Sequence, residues 1–431
     1  MHDQYDTRAL RIGPNELHLT DVSLYKTIYN QTTPYLKHKP FYDSFSTPHT
    51  IFAECQPQLH KQRRKILNPF FSRTGVLKLE PIITEKIELF LAKVKKIGPN
   101  GPIEVGHAFR CLTVDVISQF AFGRSRGLIH EVEVPDRFES DLLKAIDDGG
   151  DSLAEIQHNP LLRYLTSVVP LSFISKFNDT TRQIHNLQQF ARDSVSDYNR
   201  FYKSGAVEAP HPIIFDSLKD VSHEEQAMEA VDILLAGCDT TAFTVETSLF
   251  YILQDKRIKE KLVAALRTAI PNRGDMPPLL ELEKIEYLWA CVKESLRVAM
   301  PVAGQLPRVV PKGAAPLVVD GKVIPPGTII GMSAYTMHTS PELWGPDARS
   351  FNPDRWLGPA GKTLDQHLYT FGKGVRQCIG INVAHAEATM LLAYLFTNFE
   401  MTLKTRELET WDSFVCNHKK GVFVDFKYIP V

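Results

Sequence analysis

One helical pattern runs from Ser222 to about Leu253, and it constrains the fold more than any other feature of the chain. Ser222-His223-Glu224-Glu225 has the spacing of a capping box, with serine at the cap and glutamate three residues on. At 1.5 Å per residue a helix of this length spans about 45 Å. Gly237 lies near its middle, where glycine costs about 1 kcal/mol relative to alanine. A glycine there calls for a reason beyond helix formation.

The flanking sequence predicts further helices. From Leu59 to about Arg200, apolar residues recur mainly at helical spacing, as in Ile82, Ile83, Ile87, Phe90, Leu91 and Val94. Pro160, Pro170, Pro210 and Pro212 divide this stretch into several helices, and Ser204–Pro212 is expected to be a flexible connection. Two more helices are predicted over Lys256–Ile270 and Leu279–Met300, and a last one from just after Cys378 to about Asn398. Strands are few. Arg8–Ile12 and Gly13–Leu17 read as strand, turn and strand. Ala315–Val319 and Lys322–Ile324 flank Asp320-Gly321, a pair favoured in two-residue hairpin turns. Val422–Tyr428 is again strand-like. The expected class is mainly α with a small β portion, in a single domain over 1–431.

Bulk properties narrow the function. With 49 Lys and Arg against 50 Asp and Glu, no overall field draws the chain onto nucleic acid. The six cysteines form no C-x-x-C pair, and no histidines stand at zinc-finger spacing, which argues against structural zinc and suits a reducing compartment. No apolar run reaches the roughly 18 residues of a membrane helix, and the N-terminus lacks a charged-then-apolar leader.

The richest stretch is Phe371-Gly372-Lys373-Gly374-Val375-Arg376-Gln377-Cys378-Ile379-Gly380. Its glycines permit a tight turn at positive φ just before a cysteine that opens a helix. A thiol there faces amide N–H groups and the positive helix end, both of which favour thiolate. On these residues alone an incidental buried cysteine stays open as a reading. A phosphate loop fits poorly, because the glycines do not follow G-x-G-x-x-G and no G-K-[ST] follows.

Phe371, Gly374, Arg376, Cys378 and Gly380 fill every fixed position of a pattern that identifies the chain as resembling the cytochrome P450 superfamily. The resemblance implies the cytochrome P450 fold with a long central helix over haem b, and Cys378 as the axial metal ligand. It implies that Arg376 pairs with a haem propionate and that Phe371 covers the sulfur. Gly380 is read as allowing another surface to approach the helix closely. Glu294-Ser295-Leu296-Arg297 and Phe351-Asn352-Pro353-Asp354-Arg355 resemble two further family motifs, implying a buried Glu294–Arg297–Arg355 network that pins the cysteine loop. By itself a Glu–Arg pair at this spacing is an ordinary surface pair.

Ala236-Gly237-Cys238-Asp239-Thr240-Thr241 resembles the family's central-helix motif. It implies proton delivery by Asp239 and Thr240, with Gly237 opening a groove for the cofactor. His60 and Arg64 share a helix face and, like Arg308, resemble propionate-binding positions. Lys61, Arg63 and Lys65 are expected to face elsewhere, toward an acidic electron donor.

The motifs run in family order from His60 to Gly380, and the texture is similar to fungal microsomal members that include trichodiene oxygenase. Those begin with a membrane helix, whereas this chain starts close to its first strand. It is therefore expected to be soluble as given, or on the cytoplasmic side of the endoplasmic reticulum if anchored. The implied activity is a monooxygenase using O2 and NADPH electrons from a separate cytochrome P450 reductase. The substrate is expected to be a lipophilic small molecule, such as a terpenoid or polyketide. The Phe41–Phe52 loop, Ile233–Thr240, Met300–Gln305 and the tail near Phe414 are expected to line its pocket. Three alternatives stay open: a soluble nitric-oxide reductase, a redox-neutral haem isomerase or dehydratase, and a non-enzymatic haem sensor.

Overall fold

The computed structural model describes residues 1–32, 34–130, 137–205 and 211–430. The long pattern becomes a helix over His223–Gln254. In chain order it is α6. Before it come α1 (Pro57–Phe71), α2 (Glu80–Ile97), α3 (Val105–Phe122), α4 (Asp141–His158) and α5 (Asp179–Asp197); after it come α7 (Lys256–Ala269), α8 (Glu286–Ala299) and α9 (Ile381–Asn398), with shorter helices between. The capping box forms: Ser222 Oγ accepts from Glu225 N at 3.3 Å, and Glu225 Oε2 accepts from Ser222 N at 3.4 Å. Replacing Ser222 by alanine should cost about 1 kcal/mol, read as a lower urea midpoint; an unmoved midpoint would contradict the cap.

Helix α3 runs along α6 and explains the mid-helix glycine. A Cβ at Gly237 would come within 2.7 Å of Ile117 on α3. One residue on, Thr113 Oγ1 donates to Cys238 O at 2.7 Å, a bond that needs the two backbones close together. The close approach at Gly237 is therefore made by another helix.

The first sheet has the order β1-β2-β8-β5-β3, built from Ala9–Gly13 (β1), Glu16–Leu19 (β2), Leu36–Lys37 (β3), Arg308–Val309 (β5) and Ile329–Gly331 (β8). A second joins Ile103–Glu104 (β4), Phe423–Tyr428 (β12) and Phe399–Leu403 (β9). Leu317–Val319 (β6) and Lys322–Ile324 (β7) form the expected hairpin, with Asp320 at φ 50° and Gly321 at φ 72° in its turn. A further hairpin, Thr410–Ser413 (β10) with Val415–His418 (β11), was not foreseen. The Leu279–Met300 helix divides into Leu279–Leu282 and α8, with Ile285 extended between them and no glycine or proline to mark the break. Within Ser204–Pro212, residues 206–210 lie outside the described residues. Among the described residues no helix is long and apolar enough to cross a membrane.

Candidate functional site

The cysteine loop is shaped by its glycines. Gly372 sits at φ 64° and Gly374 at φ 75°, both in the left-handed region. A Cβ on Gly374 would also strike the backbone of Asn30. The loop closes when Cys378 N donates to Phe371 O at 2.8 Å, while the Phe371 ring packs on His385 with centroids 5.3 Å apart. Gly380 has an ordinary φ of −81°. A side chain there would point toward the Cys378 sulfur, 3.8 Å away, and would meet nothing else.

Cys378 is the one exposed cysteine. Even so, burial is the largest influence on its thiol and pushes the pKa up, opposed by the Gly380 amide and by Arg64.

The loop is tied to a buried ionic network. Arg297 donates to Glu294 through Nε at 2.9 Å and Nη2 at 2.7 Å, and Arg355 Nε donates to the same carboxylate at 3.1 Å. Asn352 N and Trp356 Nε1 complete the set, each at 2.8 Å. Glu294 is 0% and Arg297 1% exposed, so neither could hold its charge there without the other. Two bonds reach the cysteine loop. His338 Nδ1 contacts Arg297 O at 2.9 Å while its Nε2 accepts from Tyr369 N at 2.8 Å, and Thr370 Oγ1 donates to Leu296 O at 2.7 Å. His338 and Trp356 were missed in the sequence. Trp356 directly follows Arg355 and was findable; nothing near His338 marks it.

The basic residues gather in the interior. Arg376 donates to Glu54 O at 2.6 Å and Cys55 O at 3.3 Å. Arg308 donates to the Tyr42 hydroxyl at 2.8 Å, and Arg64 to Gln377 O. These partners are all neutral. Burial and then repulsion from Arg308 lower Arg376 to about 10, and burial, followed by Arg376, Lys37 and Arg64, lowers His60 to about 3. Arg63 does not face outward as expected: it pairs with Glu225 at 3.4 Å and with the buried Glu229 at 3.7 Å. Lys61 and Lys65 remain exposed.

On α6, Thr240 Oγ1 donates to Ala236 O at 2.9 Å, and Ala236 is exposed although the helix is central. Asp239 accepts from Arg110 Nε and from the Cys238 thiol, both at 2.8 Å, and Arg110 Nη1 also donates to Asp147 of α4 at 2.9 Å. Burial opposes the Arg110 charge, but Asp239, Cys238 and Asp147 more than offset it and hold its pKa well above the ordinary value. Arg110 was not anticipated.

Three segments expected to line a pocket do meet. Phe45 lies 4.9 Å from Phe52 and 4.6 Å from Phe414, centroid to centroid. The Met300–Gln305 turn is tied to the same hairpin by Cys416 N donating to Pro301 O at 2.8 Å.

Comparison with known proteins agrees with this geometry. The family model described as Cytochrome P450 matches residues 9–426. The chain is 32% identical to cytochrome P450 monooxygenase macH of Penicillium terrestre, over 96% of this chain and 83% of the relative. It is 33% identical to cytochrome P450 monooxygenase claJ of Penicillium crustosum, over 91% of each. It is 31% identical to cytochrome P450 monooxygenase penB of Penicillium thymicola, over 98% of this chain and 96% of the relative.

Proposed function

The chain belongs to the cytochrome P450 family and is a monooxygenase of it, and from that premise we propose that Cys378 ligates the iron of a haem b and that the substrate is a lipophilic small molecule. The observation that carries the assignment is Cys378, exposed and held on a glycine-shaped loop bonded to a buried ion network. The residues present fit the group. Arg376, Arg308 and Arg64 are basic side chains given only neutral partners, the donor set that a pair of carboxylates would complete, and His60 adjoins them. Phe371, Gly374 and Gly380 shape the loop on the cysteine side.

Bound there, haem supplies the redox chemistry by which O2, two electrons and two protons yield water and a hydroxylated or epoxidised product. The protein's part is ligation, proton supply and pose. Thr240 places a hydroxyl on α6 beside the accessible Ala236, and Asp239 brings a carboxylate one residue before it. Arg110 fixes where Asp239 starts, and Asp147 shares Arg110, so proton delivery is mechanically linked to α4. The aromatic cluster of Phe41, Phe45, Phe52 and Phe414 offers an apolar wall, which favours a terpenoid or polyketide over a polar substrate. Electrons come from a redox partner; we assign this to an NADPH-cytochrome P450 reductase docking over exposed Lys61 and Lys65.

Turnover with reductase, NADPH and isotopically heavy O2 should place one labelled atom in the product. Label drawn from water, or turnover without reductant, would instead mark the redox-neutral alternative. Replacing Asp239 by asparagine should lower turnover about 100-fold with an unchanged substrate-induced spin-state shift. Undiminished turnover would remove Asp239 from the proton path.

A further inference from the structure

The segment between Asp43 and Pro57 contains no helix or strand, so side chains from elsewhere must hold its backbone. Within it, Ser46 and His49 sit at φ 56° and φ 65°. That left-handed conformation is strained for a residue with a side chain and persists only where the surroundings fix it. Two acids of α6 do so. Glu229 accepts from Ile51 N at 3.1 Å, and Asp232, three residues on and on the same helix face, accepts from the Phe52 amide. Phe52 belongs to the aromatic cluster, with its ring 4.9 Å from Phe45 and 5.9 Å from Phe414.

The two acids are short of counter-charge. Glu229 is 0% exposed, and among the described residues it ion-pairs only with Arg63 of α1 at 3.7 Å, which also serves Glu225 at 3.4 Å. Asp232 is faced by Lys37 of β3, which is 8% exposed and donates to Phe52 O. Burial, then Arg376, then Arg308 disfavour the charge on that lysine. His49 acts on Glu225 and pairs with Glu54 at 3.5 Å. Burial raises both carboxyls, and the charge of Asp232 raises Glu229 further. A second charge on the pair therefore meets a like charge one turn away, with too few cations to answer it.

We infer that Glu229 and Asp232 are positioning residues for the substrate wall: they hold Phe52 through its own amide and its neighbour's while the pair carries one charge, and release it when both ionise. The inference rests on the reading of the aromatic cluster as that wall. Its sign follows from where the proton binds better. The seated segment buries the acids and burial raises them, so the seated form binds a proton more tightly than the released form. Acid favours the seated form. The hold weakens as pH rises through the raised range, on the alkaline side of neutral.

The test uses the haem-loaded full chain with imidazole and the larger 4-phenylimidazole, each read by the shift of the haem band on binding. In the parent, affinity for 4-phenylimidazole relative to imidazole should fall about ten-fold between about pH 6 and about pH 9, as for a pKa that differs by about one unit between seated and released forms. Glu229→Gln keeps an acceptor for Ile51 N but cannot take the second charge, so it should hold the acid-side ratio across that range. Asp232→Asn should flatten the profile for the same reason. Asp232→Ala leaves the Phe52 amide without its acceptor and should lower the ratio about ten-fold even at about pH 6. Amide exchange over 50–53, corrected for its intrinsic pH dependence, needs no haem; it should quicken about ten-fold over the same range in the parent and stay level in Glu229→Gln. Exchange that follows pH while the azole ratio stays level would overturn the wall reading and the inference with it. Exchange that is level in the parent, or unaltered by Glu229→Gln, would overturn the inference alone.

Discussion

Replacing Cys378 by serine is expected to abolish monooxygenase turnover while leaving the fold in place. A serine hydroxyl is far less acidic than a thiol and supplies no soft anionic ligand, so electron donation to the metal is lost along with the bond. The fold should survive because little rests on the sulfur. Cys378 is exposed, its amide makes the loop-closing bond to Phe371 O, and the loop is anchored through Tyr369 and Thr370. None of these involves the side chain. The cost to the metal-free chain should therefore stay within about 0.5 kcal/mol. Helicity by circular dichroism, haem absorption and turnover read the three parts separately. Activity that persists in the serine variant would remove Cys378 from the chemistry.

Replacing Glu294 by glutamine should have the largest effect on stability. Glutamine keeps the shape but removes the charge that answers Arg297 and that Arg355 shares with Asp347 at 2.9 Å, and its amide nitrogen faces donors where an acceptor is needed. Arg297, 1% exposed, would keep its bonds to His338 O at 2.9 Å and Ser350 O at 2.7 Å but lose its counter-charge. Breaking one partner of such a buried network costs about 3–5 kcal/mol. Urea unfolding should show it as a lower midpoint at constant slope. A double variant that also replaces Arg297 by methionine should lose less than the sum of the single losses, since it leaves fewer orphaned charges. A glutamine variant within about 1 kcal/mol of the parent would mean that the network does not bear the loop.

The parts of the site legible in the sequence are those held by neighbours in the chain. The turn glycines at 372 and 374, the cap at Ser222 and the Asp320-Gly321 turn each act within a few residues, so spacing carries their meaning. What escaped is set by distant contacts. Gly237 stands out in the sequence, but its packing partner Ile117 lies on another helix and no local spacing names it. Arg110 reads as one more surface arginine until α3 is laid beside α6. Arg63 was placed outward on helical spacing, yet it turns to Glu229, whose own burial comes from the 47–56 segment folding over α6, where Ile51 N donates to its carboxylate at 3.1 Å. Lys37 is the clearest case, because a two-residue strand has no periodicity from which to read a face.

Thiolate ligation by Cys378 is tested most directly by the absorption difference spectrum of the reduced, carbon monoxide-bound protein against the reduced protein. A sulfur anion across from carbon monoxide shifts the main haem band far to the red of its position in histidine-ligated proteins, and that red-shifted band is the expected result. A band at the histidine-type position in freshly prepared, active protein would contradict ligation by Cys378.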